Sequence, residues 1–153
     1  MSESQQHGRL AGIDYGTVRI GIAVTDFEQR FASPHDNYTR RGELADERYF
    51  RQFAVEERID RFIIGLPVHM SGNESAMSLE ARRFGDWLAN VTGKAVEYFD
   101  ERYTSSEAER LLLGMELTKK KRKQKLDKLA AQILLTAYLE SQQRGQPPAS
   151  LDG

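Results

Sequence analysis

GIDYGTVRIGIAVTD, residues 12–26, sets the pattern from which the rest of the chain is read. A short apolar run ends on Asp14, the chain turns at Tyr15-Gly16-Thr17, and a second apolar run follows from Ile20 to Val24. That is a strand, a tight turn and an antiparallel return strand. An acid at the end of a buried central strand is costly unless something cationic meets it, so Asp14 invites a metal ion, an arginine or a set of backbone amides. A turn aspartate at a hairpin tip is the plainer account of the same residues, and the remainder of the chain has to choose between the two.

Working outward, residues 31–41 carry Pro34 and then Asn37-Tyr38-Thr39, which reads as a third strand at a sheet edge. Residues 43–57 put Leu44, Tyr49, Phe50, Phe53 and Ala54 at helical spacing among charges. Arg61 to Pro67 (RFIIGLP) is a continuous apolar run stopped by proline, the mark of a parallel strand buried on both faces. Asn73 or Ser75 then caps a helix whose Phe84, Trp87, Leu88 and Val91 fall at i, i+3, i+4 and i+7, and Gly93 ends it. A strand at 95–99 leads into Asp100-Glu101-Arg102, and Thr104 with Glu107 forms a capping box for a further helix. In the last helix Leu126, Leu129, Ala130, Ile133, Leu134 and Ala137 make one apolar stripe, with Asp127 at its border.

The resulting order, β-β-β-α-β-α-β-α-α, is an α/β fold: a five-stranded mixed sheet, three strands as an antiparallel meander and two parallel, with helices on both faces. At 153 residues the chain suits one domain, expected over 9–143 with disordered ends at 1–8 and 144–153. With 39% hydrophobic and 29% charged residues and no apolar run near the roughly 18 that a membrane span needs, a soluble protein with no membrane partner is expected. MSESQQHGR at the start is neither signal peptide nor anchor. The absence of cysteine excludes disulfides, thiolate zinc sites and cysteine nucleophiles, and suits a reducing cytoplasm.

Charge is unevenly spread. Lys119, Lys120, Lys121, Arg122, Lys123 and Lys125 hold six of the 22 basic residues, which leaves 16 against 23 acidic residues elsewhere. A mostly acidic body with one basic segment suggests a grip on a polyanion, although a lysine run is also what a solvated, mobile loop looks like. Binding of a nucleic-acid backbone by this segment would be insensitive to sequence and steeply dependent on salt.

Ligands in open α/β sheets gather at the carboxyl ends of the parallel strands. Asp14 and Glu101 both end strands there, and Asp127 is expected to begin the last helix. Three hard oxygen ligands without histidine or cysteine favour Mg²⁺ or Mn²⁺ over zinc. Two such ions about 4 Å apart activate a water and stabilise the leaving oxygen of a phosphodiester. Each acid also has a plain structural account: a turn, an ion pair with Arg102, a helix N-terminus. Thr17 and Arg19, just past the first acid, and Arg102 are candidate phosphate contacts, with a surface ion pair as the alternative for the arginines.

Four blocks carry a specific resemblance: GIDYGTVRIGIAVTD at 12–26, IIGLPVHMSGNES at 63–75, FDERYTSSEAERLL at 99–112, and DKLAAQILL at 127–135 behind the basic run. Together they are similar to the YqgF family, also called RuvX, of pre-16S rRNA nucleases and Holliday-junction-resolvase-like proteins. The resemblance implies an RNase H-like fold and a metal site at Asp14, Glu101 and Asp127. It also implies hydrolysis leaving a 5'-phosphate and trimming of the 5' end of the 16S rRNA precursor, with structured RNA as partner. His69 and Tyr103 depart from the residues common in the family; His69 is a candidate substrate contact or proton carrier, or only a polar loop residue.

An RNase H strand order sets Asp14 and Glu101 two strand spacings apart, roughly 9.6 Å at the backbone. Glu101 then has to reach inward, and metal-free coordinates with the acids splayed would be compatible with that order. Three other readings compete. The hairpin at Asp14-x-Gly16 also resembles the phosphate hairpin of actin-like ATPases, which clamp ATP between two such domains. The carboxylates could be inherited by a module that binds structured RNA or a ribosome-associated partner without cutting. Resolution of branched DNA would need a dimer, and the sequence is compatible with a monomer or a weak homodimer.

Overall fold

The computed structural model describes residues 8–67, 75–101 and 119–143. Strands β1 (Arg9–Asp14), β2 (Arg19–Thr25), β3 (Ala32–Thr39), β4 (Ile59–Leu66) and β5 (Ala95–Asp100) form one sheet in the order β3-β2-β1-β4-β5. β1 pairs antiparallel with β2, and β2 with β3, whereas β4 runs parallel to both β1 and β5. The mixed sheet is the expected one, with β3 and its Pro34 on the edge.

Helices α1 (Glu43–Glu56) and α2 (Ala76–Thr92) cover one face, and α3 (Lys119–Gln143) the other. The alternation of β1 assigns its side chains: Ala11 and Ile13 join Phe50, Phe62, Phe84 and Leu88, while Leu10 packs with Leu134, Leu135 and Tyr138. β4 feeds both cores, with Phe62 and Ile64 on the first side and Ile63 on the second, all fully buried. Each such side chain contributes about 1.5–3 kcal/mol by leaving water, which is why the central run tolerates no polar residue between Phe62 and Leu66.

Local signals close the helices. The Ser75 hydroxyl accepts from the Ser78 amide at 3.1 Å and donates to the Pro67 carbonyl at 3.0 Å, so Ser75 is the cap that the sequence left open against Asn73. Gly93 takes the left-handed conformation, φ 72°, that ends α2.

α3 departs from expectation in two respects. It starts at Lys119, so the basic run is helical and Asp127 lies in its third turn, not at its beginning. Its buried side is also wider than the anticipated stripe: Leu129, Ile133, Leu134 and Ala137 are buried as expected, and Ala131, Leu135, Tyr138 and Leu139 join them where the helix settles into the groove that Gly12 opens. A Cβ on Gly12 would stand 2.9 Å from the Leu135 Cβ and 3.0 Å from the Ala131 carbonyl oxygen. Leu10, at the start of β1, meets Tyr138 and Leu139, so α3 runs antiparallel to β1.

Candidate functional site

Asp14 closes β1 on the α3 face, two positions after Gly12. Ile13 is paired with Ile64 on β4, so the next level across the sheet is Gly65. Gly65 is paired in turn with Phe99 on β5, and Glu101 follows two residues later on the same side. Gly65 thus lies between the two acids, and it has no side chain to separate them.

Glu101 fills that gap. A Cβ on Gly65 would stand 2.5 Å from Glu101 Oε1, 2.8 Å from its Cγ and 2.9 Å from its Cδ. The glutamate therefore lies flat over β4, and its carboxyl is hydrogen-bonded to that of Asp14. The two acids meet, where the strand order by itself was also compatible with splayed acids. Two strand spacings are bridged by a glutamate because the intervening strand carries a glycine.

A hydrogen bond between two carboxyl groups requires a proton on one of them. Burial pushes Glu101 above its ordinary value of 4.5, the bond with Asp14 pulls it back, and the charge of Asp100 pushes it up again. Asp100 is itself fully buried at the end of β5. Gly65 and Asp100 are the residues the sequence reading passed over. The available signal was a glycine breaking an otherwise unbroken apolar run one strand away from the first acid.

Of the other candidates, two are described with their side chains. Thr17 is exposed in the β1–β2 turn and Arg19 is exposed at the first position of β2. Arg102 and His69 lie outside the described residues, as does the helix expected after Thr104. Lys119, Lys120, Lys121, Arg122, Lys123, Lys125 and Asp127 belong to α3, and their side chains are outside the described set. Among the described residues no cluster of three or more metal-ligating side chains occurs. No described helix is long and apolar enough to cross a membrane.

Comparison with known proteins gives this geometry a family. A model of the RuvX family, described as Holliday junction resolvase, matches residues 8–141. A Rhodopirellula baltica protein named "Putative pre-16S rRNA nuclease" is 43% identical over 134 residues, covering 88% of this chain and 78% of its own. A Syntrophomonas wolfei protein of the same name is 36% identical over 138 residues, covering 90% and 98%. In fold, the chain is similar to T. thermophilus RuvC in complex with Holliday junction substrate, at a TM-score of 0.62 and 13% identity over 94% of this chain and 99% of that one. The match over nearly the whole chain, joined to the sheet order and the acids at its carboxyl end, makes this protein a member of the RuvX family.

Proposed function

We propose that this protein is a divalent-cation-dependent nuclease that hydrolyses phosphodiester bonds at Asp14 and Glu101, acting on structured RNA at the 5' end of the 16S rRNA precursor. The observation that carries the proposal is the contact of two half-buried carboxyls across Gly65, at the carboxyl ends of β1 and β5. Two acids that must share a proton when alone form a site that a cation completes. All-oxygen donors fit Mg²⁺ or Mn²⁺.

Asp127 is the proposed third ligand. Its backbone position precedes that of Ala131, which meets Gly12, by one helical turn, and α3 runs antiparallel to β1, so position 127 lies toward the Asp14 end of the strand. When bound at these carboxylates, the cation supplies Lewis-acid stabilisation of charge on phosphodiester oxygens. The chain's own part is to hold the carboxylates at fixed separation, to release the proton that joins Asp14 and Glu101, and to grip the strand. The segment 119–125 supplies six cations in the first turns of α3, and an anionic nucleic-acid backbone is the partner that such a segment suits. Thr17, Arg19 and Arg102 would hold nearby phosphates. A protein acting on precursor rRNA would do so in the cytoplasm.

The family description favours one second reading, cleavage of branched DNA by a dimer. A single panel separates the two: structured rRNA precursor, single-stranded RNA and a four-way DNA junction, each with Mg²⁺ or Mn²⁺, against Asp14→Asn. Precursor cleavage that falls at least about 10³-fold in Asp14→Asn supports the proposal. Cleavage that survives the substitution, or cleavage of the junction alone, overturns it.

A further inference from the structure

On the other side of β1, immediately after Asp14, Tyr15 points toward α1 and α2 and lines an open cleft of about 470 Å³. Its walls are aromatic: Tyr15 and Phe84 have ring centroids 5.1 Å apart, and Phe84 and Trp87 5.4 Å. Arg40 is fixed above them. Its guanidinium lies 5.6 Å from both the Tyr15 and Phe84 centroids, its Nε donates to Asp46 at 3.2 Å, and its Nη1 donates to the Tyr15 hydroxyl at 3.2 Å. Arg83 and Thr17 line the same cleft from α2 and the β1–β2 turn, and Glu43 and Glu80 also line it.

We infer that this cleft takes one unpaired nucleobase of the strand whose phosphodiester lies at Asp14 and Glu101, an inference that rests on the nuclease reading above. Aromatic side chains with arginines beside them, here tilted rings with Arg40 above them, are the sequence-tolerant lining against which single-stranded bases bind. The acids Glu43 and Glu80 disfavour a free phosphate and suit a base edge with N–H donors, so the base is the group admitted. The volume holds one nucleotide but not a duplex. Asp14 and Tyr15 face opposite sides of the sheet, so a strand crossing the end of β1 has a phosphate on one side and an adjacent base on the other. A base can enter only if it is unstacked, so the substrate is single-stranded beside the cut.

Trp87 is the only tryptophan of the chain, so its emission reports this cleft directly. In EDTA, titration with a short oligoadenylate should quench that emission to saturation. An abasic strand of the same length should bind by anisotropy without quenching. Arg83→Ala, at an exposed position, should raise the Kd read from Trp87 about tenfold. Equal quenching by the abasic strand, binding without any change in emission, or no binding of oligoadenylate would each overturn the inference. The nuclease reading fails separately: quenching without cleavage of any substrate strikes hydrolysis, and cleavage without quenching strikes only the base subsite.

Discussion

Two acids of this molecule, Asp46 buried and Glu101 half-buried, sit in opposite company. Asp46, 1% exposed in the first turn of α1, accepts from the Tyr38 hydroxyl at 2.7 Å, the Arg41 amide at 2.9 Å and Arg40 Nε at 3.2 Å. Glu101 lies against another carboxyl, with the buried Asp100 close enough to oppose its charge. The first carboxylate completes a network that ties β3 to α1; burial, then the bond to Asp46, push the Tyr38 hydroxyl up to about 12. The second has another acid among its hydrogen-bond partners. Removal from water acts on both acids, so what tells an acid of the fold from an acid of the chemistry is the sign of its neighbours.

The contrast breaks first at the level of stability. Asp46→Ala leaves the Tyr38 hydroxyl and the Arg41 amide without their acceptor and should cost about 2–4 kcal/mol. Asp14→Asn removes a like-charge neighbour and should leave the metal-free protein as stable as wild type or more so, while abolishing cleavage. Calorimetry in EDTA compares them. If Asp14→Asn melts as low as Asp46→Ala, then Asp14 is a structural residue and the distinction between the two acids is wrong.

A cation sharpens the same comparison. Mn²⁺ at about 100 times its Kd should stabilise the wild type by roughly 2.7 kcal/mol, or about 5–10 °C in Tm for a chain of this size. Asp46→Ala should show the same rise from its lower starting point, and Asp14→Asn should show none. An equal rise in all three proteins would mean that the ion binds elsewhere.

The sheet and its helices were legible in the sequence because each element announces itself locally. The unbroken run at Phe62 to Leu66 is a strand covered on both faces, and Gly93 stops α2 with the backbone angle only glycine takes readily. Asp14 and Glu101 could be picked out as strand-end acids for the same reason. Their contact could not, because it depends on Gly65, whose importance is an absence of atoms between neighbours distant in sequence. The full width of the buried side of α3 was hidden on similar grounds: the stripe along 126–137 reads from local spacing, but Gly12, more than a hundred residues earlier, is what lets Ala131 and Leu135 pack close to the sheet. The structural role of Asp46 was equally hidden, since an acid in a helix's first turn is ordinary and its tyrosine and arginine partners come from β3 and the loop behind it.

Gly65 offers a finer test of how the acids are brought together. In Gly65→Ala the new methyl occupies the space of the Glu101 carboxyl, a movable side chain, so the fold should lose little stability. The displaced carboxylate should lower kcat by about 10–100-fold. Mn²⁺ should also stabilise the variant less than the wild type, a change that a purely structural glycine would not produce. Full activity in Gly65→Ala would show that Glu101 does not need to lie across β4.

The smallest expected effect is on pH dependence, and its sign follows from the raised pKa of Glu101. The folded, metal-free protein holds a proton that the unfolded chain releases as pH passes 4.5. The stability linked to this group is thus fully present below 4.5 and is lost as pH rises through the elevated folded value. Glu101→Gln cannot lose that proton. In EDTA its Tm should therefore match wild type in acid and exceed it near neutrality. Asp46→Ala, which leaves the Asp14–Glu101 pair intact, should keep the wild-type slope at a lower Tm. A wild type that gains stability relative to Glu101→Gln between pH 5 and 8 would reverse the sign, and would mean that Glu101, like Asp46, already has donors enough to hold its charge.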